Sequence, residues 1–308
     1  MKISTSFLFD RATSRMGTIQ NNLATTQAQL SAAKQILSPS DAPDKAAAIQ
    51  RLKGEIDRQE SNSQNLQVAI RRFRVEESSL TTSLTLLDRL KELSLQAAND
   101  TVGPDDRKAI AVEMHSIRDQ LLGLSNTRDD SGNYIFSGTR VNVPAFAQDA
   151  KGQVQYQGDQ TQISIPAGSE RQVQFTRSGT DVYSRVVRTD SHGITTSVGF
   201  FDALDQMIKA VETNQTAGIQ QSVGELTQMH NNVSLALAET GADQATIDYQ
   251  LQVIDETTLR LKSTLSEVED LDYTSAVTRM NKEMMALQAA MGSFSKISGL
   301  SLFDYIRG

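Results

Sequence analysis

The sequence predicts a mainly α protein with a small β insert: an elongated rod of long helices, its N- and C-terminal helices paired as a coiled coil. Three observations carry this. Near one end Phe9, Met16, Leu23, Leu30 and Leu37 recur every seven residues; near the other Tyr273, Met280, Leu287 and Phe294 do the same, interleaved with Val277, Met284 and Met291. Such a 4/3 stripe is narrow and needs a partner helix. Between the ends, Ile49, Leu52, Ile56, Leu66, Ile70, Phe73, Leu80, Leu84 and Leu87 keep continuous helical register. The middle, from Ser131 to about Thr189, is rich in Gly and Pro and alternates with a period of two.

Residues 6–37 read as one helix, full of Gln, Ser, Thr and Ala outside its seam. Helix stability in proteins comes mostly from packing a face, so this segment has little to hold it when alone. It should stop at Ser38-Pro39-Ser40-Asp41-Ala42-Pro43, with Ser and Asp as helix-cap candidates. The next helix starts near Asp44 and runs to about Asn99, roughly 80 Å at 1.5 Å per residue. Gly103-Pro104 breaks it, and a further helix with Ile110, Met114, Ile117, Leu121 and Leu124 ends around Asn126. Strand signals follow at Val154–Tyr156, Gln162–Ile165 and Gln172–Phe175. Helices resume with Phe200, Phe201, Leu204, Met207, Ile208 and Val211, then with Ile219, Val223, Leu226, Val233 and Leu237. Gly241 marks a turn, after which Ile247, Ile254, Leu261 and Val268 sit at seven-residue spacing. The register slips at Asp270–Asp272, where the terminal seam begins. The expected organisation is a terminal coiled-coil assembly domain (1–40 with 272–308), a helical rod (41–138 with 190–271) and an outward β-rich insert (139–189).

Composition narrows the function. The 308 residues allow two or three domains. With 38% hydrophobic residues, 5% aromatics and no Trp, the core should be thin and built from Leu, Ile, Val, Met and Ala. A net charge of −7 argues against nucleic-acid binding, which requires a basic face. The charge is uneven: residues 1–74 hold 11 Lys/Arg and 6 Asp/Glu, whereas 239–272 hold 2 and 9. Opposite charges on two helical segments favour packing one on the other. The absence of Cys excludes disulfides, thiolate metal sites and a Cys nucleophile. No apolar run approaches the ~18 residues of a membrane span, and Asp10, Arg11 and Arg15 interrupt what would be the apolar stretch of a secretion signal.

No chemistry-bearing motif appears. His115, His192 and His230 are isolated, with no metal-ligand spacing. Asp105-Asp106 and Asp129-Asp130 do not fit a calcium loop and suit turns and caps. There is no phosphate loop, dinucleotide fingerprint or nucleophile elbow. Arg71, Arg72 and Arg74 read first as a solvated face and second as a contact for a neighbour's acidic patch. The Met cluster at 280, 284, 285 and 291 reads as seam packing. No catalytic, cofactor or metal residue is expected; the chain reads as one that assembles.

Several stretches resemble the flagellin superfamily. Ile3-Ser4-Thr5-Ser6 before a Gln/Asn/Ala/Leu-rich helix is similar to its N-terminus, and Ser38–Pro43 to the loop that reads close to PSDDP in one branch. Gln120–Asn126 followed by Gly132-Asn133-Tyr134-Ile135-Phe136-Ser137-Gly138 resembles the family's G-x-Y-I-F-x-G stretch and the helix leading to it. Gly299–Ile306 resembles the C-terminus of the hook–filament junction branch, and the chain lacks the Leu-Leu-Arg-like tail common in flagellins. The resemblance covers both terminal thirds; the insert is not diagnostic. It implies a structural protein of the bacterial flagellum, exported without a cleaved signal peptide. That protein forms a ring of copies between the first hook-associated protein and the flagellin filament. A flagellar export chaperone binding the C-terminal helix is a further implied partner. Nucleic acid, membrane insertion and cofactors are not expected. The rival within the family is a short flagellin, the filament subunit. Leu23, Leu30, Met280, Met284, Leu287 and Met291 are the expected assembly seam, with Leu300, Leu302 and Phe303 anchoring the tail.

Overall fold

The computed structural model describes residues 2–99, 101–166, 172–189 and 195–306. Helix α1 (Lys2–Ala32) is followed by α2 (Pro43–Ala97) and α3 (Pro104–Ser125). Next come strands β1 (Phe146–Gln148), β2 (Val154–Tyr156), β3 (Ser164–Pro166) and β4 (Gln172–Gln174), and the single turn α4 (Gly179–Val182). Strands β5 (Val186–Thr189) and β6 (Thr195–Val198) lead to α5 (Phe200–Glu212), α6 (Thr216–Glu269) and α7 (Tyr273–Ile306). The fold is mainly α with a small β component. Among the described residues no helix is long and apolar enough to cross a membrane.

Helix ends follow local chemistry, with two departures from the sequence expectation. The first helix was expected to reach residue 37 but ends at Ala32. Ala33 has φ 57°, and the Lys34 N–H returns to the Gln29 carbonyl (3.2 Å), so the chain closes in a Schellman turn. Helix α2 starts with Pro43 at its first position, where the missing N–H costs nothing. Asp41 does not cap it. Its carboxylate accepts from the N–H groups of Leu37 (3.1 Å) and Ser38 (2.8 Å), which closes the preceding loop and holds its pKa below the ordinary value. Gly103, Pro104 and the acidic first-turn pair Asp105 and Asp106 start α3. Asn214 (φ 55°) ends α5 in a second Schellman turn, with Gln215 N–H bonded to the Ala210 carbonyl at 2.8 Å.

The second departure is Gly241, expected to make a turn. Instead α6 runs straight through it. The seven-residue seam is unbroken: Ile219, Leu226, Val233, Thr240, Ile247 and Ile254 are all buried. Thr240 is the polar member that hid this continuity. Its single hydroxyl proton has two acceptors within reach, the Glu76 carboxylate (3.0 Å) and the Ala236 carbonyl (2.8 Å). A mid-helix glycine costs about 1 kcal/mol, less than the burial of a single seam isoleucine, at about 1.5–3 kcal/mol.

The chain divides into two compact units, Met1–Glu60 with Asp255–Gly308, and Ser61–Ile254; α2 and α6 contribute to both. Among the described residues of the second unit the strands form three separate antiparallel hairpins, β1–β2, β3–β4 and β5–β6, rather than one sheet. Registers pair Ala147 with Gln155, Ile165 with Val173 and Arg188 with Thr196. The second strand signal, Gln162–Ile165, is realised as Ser164–Pro166, and the third hairpin had no signal in the sequence. None of the hairpins makes a core alone. Phe146, Val182, Tyr183 and Val186 join a core with Leu80, Leu87, Leu90 and Leu93 of α2, Met114 and Leu121 of α3, Leu204 and Met207 of α5, and Leu226 and Val233 of α6. A smaller core sets Val173 of β4 on Leu66, Ile70 and Phe73 of α2 and on Ile247 and Ile254 of α6.

The larger core is more aromatic than the composition suggested. Phe136, Phe146, Tyr183, Phe200 and Phe201 pack mostly edge to face, with centroids 5.2–5.8 Å apart in the edge-on pairs. The Tyr183 hydroxyl shares a hydrogen bond with Ser83 (3.0 Å), and burial pushes its pKa up to about 12. Gly138 (φ 65°) follows the Ile135–Ser137 stretch; a Cβ there would lie 2.4 Å from the Asp159 carbonyl oxygen, so the loop requires glycine.

Two buried arginines tie the irregular segments to the helices. Arg72 is not on a solvated face: its guanidinium donates to the carbonyls of Phe175 (3.2 Å) and Ile135 (2.9 Å) and to Asp129 (3.0 Å). The other oxygen of Asp129 accepts from the N–H groups of Ser131 and Asn133, so this carboxylate folds a turn. Arg177 donates to Glu76 (2.8 Å) and Glu239 (2.5 Å), with Asp243 at 3.6 Å. Burial works against its charge, but the glutamates prevail and its pKa is raised. The acidic α6 segment thus meets Arg177, a residue outside the basic N-terminal segment.

Candidate assembly surface

In the first unit α1 and α7 lie antiparallel. The rings of Phe9 and Phe294 touch at one end, with centroids 4.7 Å apart, and at the other the Tyr273 hydroxyl reaches the Leu30 carbonyl (3.4 Å). On α1 Thr26 is buried and Ala12, Met16, Gly17, Ile19, Leu23, Gln29 and Leu30 are part-covered; Ala12, Met16, Ile19, Leu23, Thr26 and Leu30 among them make a stripe. On α7 the stripe is Ala276, which is buried, with the part-covered Met280, Glu283, Leu287, Ala290 and Phe294. Both sets step by 4 and 3, the geometry of a two-helix seam.

The expected seam residues therefore fall into groups. Leu23, Leu30, Met280 and Leu287 are part-covered and belong to the two stripes. Met284 and Met291 do not; with Val277 they form a second stripe on α7 that is 36–47% exposed. The intrachain seam is completed instead by the small residues Ala276 and Ala290 and by Glu283. These carry no hydropathy signal, although their spacing from Met280 and Leu287 would have flagged them. Leu37 has left the helix and is exposed. The side chains of Leu300, Leu302 and Phe303 lie outside the described residues; their backbone continues α7.

The pair is thinly held. Among the described residues Oε2 of Glu283 is buried with no hydrogen-bond partner. Phe7, Phe9, Tyr273 and Met285 are 43–65% exposed. Such a concentration of uncovered large apolar side chains marks a surface made to be covered.

A joint fixes where the terminal helices leave the rest of the unit. The Gln35 N–H donates to the Glu269 carbonyl (2.8 Å), and the Leu271 N–H donates to the Ala33 carbonyl (3.1 Å). The Glu269 carboxylate binds both Lys34 (2.6 Å) and Lys53 (2.9 Å). Hydrogen bonds from these lysines hold its pKa below the usual value, and the same contact raises that of Lys34. Sequence reading found the charge asymmetry but not Glu269 itself. Lys262 and Glu60 add a further pair at 2.7 Å.

Among the described residues no group of three or more His, Asp or Glu side chains is placed to hold a metal. His115 lies 3.4 Å from Glu212 and His230 lies 3.5 Å from Asp88, both at the surface; His192 lies outside the described residues. The arrangement of paired terminal helices, long helices and hairpins is that of a structural protein.

Sequence comparison gives the class a family. The bacterial flagellin N-terminal helical region matches residues 3–141 and the flagellin C-terminal helical region matches residues 223–306. The chain belongs to the flagellin family, and it is a structural flagellar protein rather than an enzyme. It is similar to flagellar hook-associated protein 3 of Salmonella typhimurium, 26% identical over 100% of both chains. It is also similar to a flagellin of Listeria monocytogenes, 23% identical over 90% of this chain and 89% of that one. Its fold resembles the crystal structure of flagellar hook-associated protein 3 from Legionella pneumophila, with a TM-score of 0.65 at 18% identity, covering 71% of this chain and 98% of that chain.

Proposed function

We propose that this chain is the structural subunit joining the flagellar hook to the filament. The observation that supports it most is the α1–α7 pair with a second apolar stripe, Val277, Met284 and Met291, left uncovered on α7. An exposed heptad stripe has no use in a finished monomer and a plain one in a subunit whose neighbours cover it. Ordering such a segment at assembly offsets its conformational entropy only when those contacts form, which suits a chain exported before it assembles. The end-to-end match to a hook-associated protein favours the junction over the filament itself.

In this reading residues 1–40 and 272–308 are the assembly domain, 41–138 and 190–271 the rod, and 139–189 the outward insert. Leu23, Leu30, Met280, Met284, Leu287 and Met291 form the seam within and between copies, and Leu300, Leu302 and Phe303 anchor the tail. The partners are the first hook-associated protein, flagellin and further copies of itself. An export chaperone holds the C-terminal helix beforehand, and the chain leaves the cell with no cleaved signal peptide. Deleting the gene tests this. Bare hooks with soluble flagellin in the medium are expected, because filament subunits are made but find no template. Bare hooks with no flagellin released would mean the chain is the filament subunit, and unchanged filaments would refute both.

A further inference from the structure

Beside the joint the first unit carries a cavity of about 260 Å³. Its walls include Ile36, Leu37, Pro39 and Ile49, and Lys34, Lys53 and Glu269 also line it. Two ammonium groups and one carboxylate line it, a formal excess of one positive charge among the lining residues, with Asp270 near Lys34 just outside them. The space suits one or two large apolar side chains next to an anion rather than a small-molecule ligand, whose pockets run to roughly 300–1,000 Å³.

We propose that this cavity receives the C-terminal segment Leu300–Ile306 of a second copy, an apolar side chain entering it and Asp304 meeting Lys34 and Lys53. The segment reads Leu-Ser-Leu-Phe-Asp-Tyr-Ile: largely apolar, with one charge, and that charge negative. It complements the cavity in both respects. The chain's own segment does not reach it. Helix α7 is 34 residues long, about 50 Å at 1.5 Å per residue, and the joint adjoins its N-terminal end while the segment ends it. A neighbour displaced by about one α7 length would bring its tail to this cavity. The inference rests on the assembly reading above and adds which surface the tail occupies.

The absence of native cysteine makes the test clean. Gln50→Cys at the cavity and Ser301→Cys on the tail are combined in one full-length chain that replaces the wild type. Purified flagella are then oxidised and run without reductant. Bands at twice the monomer mass and above are expected from the double variant, well beyond either single variant. Normal incorporation with linkage no greater than in the single variants would overturn the docking while leaving the assembly reading intact. Absence of even the wild-type chain from purified flagella would overturn the assembly reading instead. A charge exchange reads the same contact without cysteine. Lys53→Asp is expected to lower the incorporated amount about five- to ten-fold, and adding Asp304→Lys is expected to restore it; no restoration would count against the contact.

Discussion

Arg177 offers the sharpest test of how the irregular segment is held. Its side chain is 5% exposed and that of Glu76 is 1% exposed, at 2.8 Å. Replacing Arg177 by Met keeps most of the stem and removes the charge. Glu76 then keeps the Thr240 hydroxyl and the more distant charge of Arg72. Removing one partner of a buried pair costs about 3–5 kcal/mol because the other charge is stranded. With those two groups remaining, we expect the low end, about 3 kcal/mol. The contacts to Glu239 and Asp243 add little, since those carboxylates are 53% and 24% exposed. Adding Glu76→Gln removes the stranded charge and leaves Thr240 an acceptor. The double variant should therefore lie only about 1–2 kcal/mol below wild type, an interaction energy of the size seen between contacting residues. Urea unfolding of the full-length chain at pH 7, followed by far-ultraviolet circular dichroism, measures all four corners of the cycle. Arg177→Met within about 1 kcal/mol of wild type, or a double variant less stable than the single, would refute the reasoning.

Three further outcomes are expected. Leu287→Asp places a charge in the α1–α7 seam; it should leave the monomer soluble but block filament growth in a complemented deletion strain, and normal filaments would remove Leu287 from the seam. Ala33 occupies the left-handed helix-end position that favours glycine, so Ala33→Gly should relieve about 1–2 kcal/mol of strain against about 0.5–1 kcal/mol of added chain entropy. Hydrogen exchange at the Gln35 amide should slow by about two- to five-fold as a result. The Glu269 joint should depend on pH in both directions. Its lowered carboxyl pKa means stabilisation is present above the ordinary glutamate range and lost as pH falls through the folded value. The raised Lys34 pKa means stabilisation is complete below the ordinary lysine value and lost as pH rises through the higher folded one. Protection of the Gln35 and Leu271 amides, corrected for intrinsic exchange, should peak between those limits; a flat profile from pH 7 to pH 3 would contradict the assignment.

Elements that obey a period were legible in the residues alone. Helix α2 begins and ends within two residues of its expected limits, because its apolar spacing and flanking prolines are local signals. The Asp270–Asp272 break and the Gly103-Pro104 break are local for the same reason. Tertiary structure decided what depends on contacts distant in sequence. The Gln35–Glu269 and Ala33–Leu271 hydrogen bonds accompany the early end of α1. Thr240 bridges Gly241's neighbourhood to Glu76, and packing on both sides of the glycine outweighs its cost. Phe136, Phe146 and Tyr183 follow no period, and only the folded chain gathers them with Phe200 and Phe201 of α5 into one cluster. Arg72 looked like a solvated charge because its partners Ile135, Asp129 and Phe175 lie 57 to 103 residues away. The heptads announced an interface at both ends. Which of their residues meet within the chain, and which remain for a neighbour, depends on how α7 is rotated about its own axis, and packing against α1 sets that rotation.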